Sequence, residues 1–163
     1  WSKDWLSSTG VLLTTTGALE ADVWQLNDAV DYDPTLARLV PYVQAELRYP
    51  LVRSNGKTRH VLEPVAALTY SHPVGDLPPN EDSARPELDE GNLLSLTQFS
   101  GQDAAEASTK LALGLTWTRS GSEGVTSQLG FGRILRSDTN RAFTLTSGFC
   151  SDHYNPVFCT GSI

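Results

Sequence analysis

The sequence predicts an all-β fold: an antiparallel up-and-down meander forming a partial, open segment of an outer-membrane β-barrel. Three observations predict it. Apolar and polar residues alternate with a period of two over six segments, no convincing helix interrupts them, and the joins between segments are short and long by turns. Only 39% of the 163 residues are apolar, which is thin for a compact water-soluble core of that size. No stretch approaches the roughly 18 uninterrupted apolar residues of a membrane-spanning helix, whereas a barrel strand needs only about 9 to 11 residues with every second one apolar.

The segments follow in chain order. From Val11 to Gln25, the alternate residues Val11, Leu13, Thr15, Gly17, Leu19, Ala21 and Val23 form one face, opposed by Thr14, Thr16, Glu20 and Asp22. Leu39 to Leu51 sets Leu39, Val43, Ala45, Leu47, Tyr49 and Leu51 against Gln44, Glu46 and Arg48. His60 to His72 groups Leu62, Pro64, Ala66, Leu68 and Tyr70 opposite Arg59, Glu63, Thr69 and Ser71. Thr109 to Trp117 places Leu111, Leu113, Leu115 and Trp117 across from Lys110, Gly114 and Thr116. Val125 to Ile134 and Ala142 to Phe149 complete the set. Between them, 27–38 and 72–107 are long joins, 53–58 is a tight Asn-Gly hairpin, 119–124 is tight and 136–141 is of middle length. Six strands cannot close a wide barrel, so the chain alone should form an open sheet with two unpaired edges.

Aromatic residues near segment ends (Trp24, Tyr42, Tyr49, Tyr70, Trp117 and Phe131) suit the aromatic girdles of a barrel's two interfaces. Prolines 41, 50 and 64 each remove a ladder donor, so each implies a bulge, a strand end or a weakened seam. Glycines 130 and 132 lie mid-strand with no helix after them, which suits relief of crowding or strand curvature rather than a phosphate loop. A soluble β-sandwich shares the alternation, but it does not restrict long loops to one side.

The net charge of -7 argues against a nucleic-acid partner, because phosphate-binding surfaces concentrate Lys and Arg. The absence of Met and a start at Trp1 inside sequence that reads as structured suggest a piece of a longer chain. Cys150 and Cys159 permit a disulfide in an oxidising compartment without demanding one.

The 72–107 join is too long for an idle turn. It holds Asn-Glu-Asp-Ser at 80–83, Asp-Glu-Gly-Asn-Leu at 89–93 and Phe-Ser-Gly-Gln-Asp at 99–103. Together with Leu-Arg-Tyr-Pro-Leu-Val-Arg at 47–53, Leu-Glu-Pro at 62–64 and Gly-Arg-Ile-Leu at 132–135, this succession resembles the LptD family of lipopolysaccharide-assembly proteins, also called organic-solvent-tolerance proteins. The similarity runs from about residue 1 to 149, which marks 1–149 as a partial barrel segment and 150–163 as a divergent or disordered tail. The resemblance implies a non-catalytic part of an outer-membrane translocon that inserts lipopolysaccharide into the outer leaflet. It further implies a plug lipoprotein of the LptE kind in the lumen and a periplasmic lipopolysaccharide-bridge protein meeting an N-terminal jellyroll that this chain lacks. Ala104 stands where the family usually has Arg, so no ion pair is carried over to it. The family's disulfide cysteines are not mapped onto Cys150 and Cys159. The alternatives are the wall of a porin or other channel and a soluble β-sandwich binding domain.

Two groups of site residues follow. The charged polar-face residues Glu20, Asp22, Glu46, Arg48, Arg59, Glu63 and Lys110 are candidates to face a lumen, where a plug or cargo would meet them; hydration of a wet interior is the plainer role, and each mixed-sign pair across strands is worth only about 0.2 to 1 kcal/mol. Within the long loop, Asn80, Asp82, Asp89, Asn92, Phe99, Gly101 and Asp103 are the motif candidates. Asp82, Asn92 and Asp103 suit turn and capping hydrogen bonds as the loop folds over the barrel mouth. The loop's carboxylates lack a calcium-loop pattern, His60, His72 and His153 are scattered, and no nucleophile elbow occurs, so no metal, cofactor or catalytic residue is assigned.

Overall fold

The computed structural model describes residues 1–27, 33–79, 93–97, 99, 103–121, 126–137 and 157–161. These form one sheet of nine strands, with no helix among the described residues. In chain order the strands are β1 (Ser2–Leu6), β2 (Leu12–Gln25), β3 (Thr35–Arg48), β4 (Leu51–Asn55), β5 (Thr58–Ser71), β6 (Val74–Gly75), β7 (Ser108–Gly121), β8 (Thr126–Arg136) and β9 (Val157–Gly161). Every pairing is antiparallel, along the path β1-β2-β3-β5-β7-β8-β9, and the sheet does not close on itself. This is the open barrel segment that the alternation predicts, and no second sheet packs on it to make a sandwich among the described residues. The segment at 142–149 lies outside the described residues. Four short strands escape the predicted segments: β1, β4 but for Leu51, β6 inside the 72–107 join, and β9 within the stretch set apart as the tail.

Four prolines explain why β4 and β6 are separate strands. The β3–β5 ladder pairs Arg48 with Val65, lapses opposite Pro50 and Pro64, and resumes as β4–β5 with Leu51 facing Leu62. At the other end it lapses beyond Tyr42 and Ser71, over Pro41 and Pro73, and resumes as β3–β6 with Leu39 facing Val74. Each lapse covers the same number of residues on both sides, so the register carries through unchanged. A proline has no N–H to give the ladder, and here the sheet skips the pairs it spoils without bulging. The amide of Tyr49 still donates to the Pro64 carbonyl at 3.1 Å. Gly56 takes the positive φ (54°) of the first turn residue between β4 and β5, which both mirror-image hairpin turns require.

Register fixes two faces. On one lie Leu19, Val23, Leu39, Val43, Leu47, Leu68, Tyr70, Leu113, Leu115 and Phe131, all exposed; Val23 is 74% and Val43 60% accessible. On the other lie Arg38, Val40, Tyr42, Gln44, Ala67, Thr69, Ser71, Ala112, Ile134 and Lys110, all buried, Lys110 to 1%. The burial of this second face comes from the return segment, described at 93–97, 99 and 103–107, which lies against it. We call the two faces open and covered. Trp24 and Tyr42 do not join an open-face girdle: their even positions in β2 and β3 put them on the covered face, where the Arg38 guanidinium sits 4.7 Å above the Trp24 ring and Tyr42 is 5% accessible. Tyr49, Tyr70, Trp117 and Phe131 have the open-face parity.

Candidate functional site

The covered face near the long joins is built as successive cross-strand rows. Gln44, Thr69, Lys110 and Arg136 form one, since each stands directly opposite the next on β3, β5, β7 and β8. The next row, one step toward the tight turns, holds Glu46, Ala67, Ala112 and Ile134, and the one after it Arg48, Val65, Gly114 and Gly132. A polar row thus borders the apolar trio Ala67, Ala112 and Ile134, and a glycine notch at Gly114 and Gly132 follows.

The return segment fits this relief residue by residue. Leu93 enters the notch: a Cβ placed on Gly132 would lie 2.6 Å from a Leu93 methyl, and one on Gly114 would lie 2.7 Å from Val65 and 3.1 Å from Leu93. Gly132 therefore relieves crowding, as its mid-strand position suggests, and Gly114, not singled out by the sequence, does the same. Leu93 and Leu94 pack on Ala67, Ala112 and Ile134. The backbone then passes over the polar row, whose donors satisfy its carbonyls. Gln44 donates to Thr69 Oγ1 at 2.9 Å and to the Leu94 carbonyl at 2.8 Å, and Lys110 donates to the Ser95 and Leu96 carbonyls at 3.0 and 3.1 Å. A loop without secondary structure can be buried only where such partners exist.

Glu106 closes the segment. Its carboxylate receives Lys110 Nζ at 3.2 Å and Arg136 Nη2 at 3.4 Å, all three side chains being nearly inaccessible, and its carbonyl accepts from the Ser71 hydroxyl. One anion between two opposed cations lowers a repulsion that the low-dielectric surroundings would otherwise amplify. Nearer the long joins, Arg38 pairs with Asp22 at 2.8 Å and donates to the Asp103 carbonyl at 2.6 Å, while Tyr42 reaches Glu20 at 3.4 Å. Toward the tight turns, Arg48 bridges Glu46 and Glu63, the latter at 2.8 Å, in a more accessible setting.

Of the charged residues expected on the polar face, Glu20, Asp22, Glu46, Arg48, Glu63 and Lys110 therefore all lie on the covered face; Arg59 shares their parity but is exposed at the tight-turn end. Phe99 is buried and Asp103 engages Arg38 through its main chain, whereas Asn80, Asp82, Asp89, Asn92 and Gly101 lie outside the described residues. Sequence reasoning missed Arg38, Glu106 and Arg136. Arg38 and Arg136 each extend the even-numbered face of a strand beyond the bounds the apolar pattern suggests, so counting on by two would have found them. Glu106 sits in an aperiodic join and carries no such signal. Among the described residues, no three His, Cys, Asp or Glu side chains converge as a metal-binding group.

A family model described as LPS transport system D (LptD) matches residues 1–158. No curated protein matches the chain.

Proposed function

Because the chain belongs to the LptD family, a family of outer-membrane lipopolysaccharide transport, we propose that it is wall and long-loop segment of a translocon that inserts lipopolysaccharide into the outer leaflet. The open face meets lipid and the covered face lines the lumen. The observation that supports this most is the inverted polarity of the sheet, apolar where it is accessible and charged where it is covered, the reverse of a water-soluble domain. All the acidic residues within β1 to β8 (Asp4, Glu20, Asp22, Glu46 and Glu63) have covered-face register. A carboxylate on the lipid face would be costly, and a wet interior tolerates it.

On this reading the mechanism is passive. The sheet supplies an apolar boundary outside and a hydrogen-bonding boundary inside, and the return segment narrows the lumen beside β3, β5 and β7. Residues 1–149 form the wall, and within the divergent stretch 150–163 β9 continues the sheet beside β8; a plug lipoprotein of the LptE kind and a periplasmic bridging protein complete the assembly. The test is to delete residues 76–103 from the intact protein in its native membrane and to label lipopolysaccharide at the cell surface. Surface lipopolysaccharide should fall while the barrel still assembles. Undiminished delivery would remove the loop from the mechanism.

A further inference from the structure

At the tight-turn end of the open face, β4, β5 and β7 bring Arg53, His60 and Arg119 into one row, each directly opposite the next. Both arginines are exposed, and neither has an ion-pair partner among the described residues. The next row toward the middle of the sheet is Leu51, Leu62, Trp117 and Leu129, wholly apolar. A cleft of about 510 Å³ opens across the border between the two rows, with Leu51, Leu62 and Trp117 on its apolar side and Arg53, Asn55 and His60 on its polar side. The His60 ring stacks on Trp117 with centroids 5.8 Å apart, so the imidazole is held at the cleft edge.

The charge on this face is one-sided. By register, the charged residues on the open face of β1 to β8 are Lys3, Arg53, Arg119 and Arg133, every one a cation, in a chain whose net charge is -7. A cationic and hydrogen-bonding rim directly beside an apolar floor matches a molecule that is anionic at one end and hydrocarbon at the other. Tryptophan at the junction has the same amphipathic preference.

We propose that this cleft binds an anionic phospholipid from the leaflet at the tight-turn end, the phosphate between Arg53, His60 and Arg119 and the first acyl methylenes over Leu51, Leu62 and Trp117. The site rests on the reading that the open face meets lipid. It works as a retained-lipid position that fixes the depth of this part of the wall, since sliding the sheet along the membrane normal would pull the guanidiniums from the phosphate plane.

The test places the intact protein in phosphatidylcholine nanodiscs containing a minor fraction of lipid brominated high on the acyl chain, either phosphatidylglycerol or phosphatidylcholine. The Trp117 signal is taken as the difference between wild type and Trp117→Phe. Brominated phosphatidylglycerol should quench it severalfold more than brominated phosphatidylcholine at the same fraction, and the Arg53→Gln/Arg119→Gln variant should lose that preference. Equal quenching by the two lipids in wild type overturns the headgroup site and leaves the lipid-facing reading intact; this comparison does not depend on any substitution at the rim. A preference that survives in the double variant also overturns the site. Quenching by neither lipid overturns both the site and the reading beneath it.

Discussion

Replacing Glu106 by alanine should release the return segment from the sheet. The substitution leaves the Ser71 bond to the residue 106 carbonyl and removes the carboxylate that holds Lys110 at 3.2 Å and Arg136 at 3.4 Å. Two cations then face one another across β7 and β8 in a nearly inaccessible place. Breaking a buried ion pair by removing one partner costs about 3 to 5 kcal/mol. Lys110 keeps its bonds to the Ser95 and Leu96 carbonyls, which favours the lower end of that range. At about 1.4 kcal/mol per factor of ten, a loss of about 3 kcal/mol raises the population of undocked segment about 100-fold. Phe99 is buried, so chymotryptic cleavage after it reports that population as long as reclosing outpaces cleavage. The assay is the rate at which the fragment ending at Phe99 appears from folded, detergent-solubilised protein. A rate unchanged by Glu106→Ala would refute the idea that this carboxylate anchors the segment.

Three further outcomes are expected. Gly132→Val should expel Leu93 from its notch at a cost of about 1 to 3 kcal/mol, again read as faster cleavage after Phe99; adding Leu93→Ala should lower the incremental cost of the valine in a double-mutant cycle, and strict additivity would argue against the contact. Leu113→Arg on the open face should destabilise the folded protein by about 2 to 4 kcal/mol if it lies near the bilayer midplane, seen as a lower denaturation midpoint in lipid, whereas Thr116→Arg on the opposite face should cost far less. Gln44→Leu should strip the Leu94 carbonyl of its donor at a cost of about 1 to 3 kcal/mol, detected as faster amide exchange at residues 93–97, and unaltered exchange would show that the bond contributes little.

The open face was legible because it depends only on a count. Leu111, Leu113 and Leu115 alternate with Lys110 and Gly114 in the sequence and lie on opposite faces in the sheet, and the same arithmetic sorts β2, β3 and β5. Aromatic character was a poorer guide than parity: Trp24 and Tyr42 suggested a girdle by residue type, while their even positions commit them to the covered face. The partners of that face were mostly hidden. Which carbonyl of the return segment meets Gln44 or Lys110 depends on the path of a join with no repeat, and the four-residue spacing of Glu106 and Lys110 would suggest a helical pair, yet Lys110 is in a strand. Prolines signalled interruption correctly without revealing its kind, because whether a ladder bulges or merely pauses is decided by the neighbouring strand.

That kind of interruption has a consequence for everything beyond it. A one-residue insertion at Pro50 would have turned the strand beyond it over, sending Arg53 inward and Val52 outward, and one at Pro64 would have done the same to His60 and Val61. By pausing for an equal stretch on each side, the two strands stay in phase, like two tracks that miss the same sleepers and still meet gauge at the next. The proline pair can therefore loosen this seam locally while every side chain past it keeps its address, oily or aqueous.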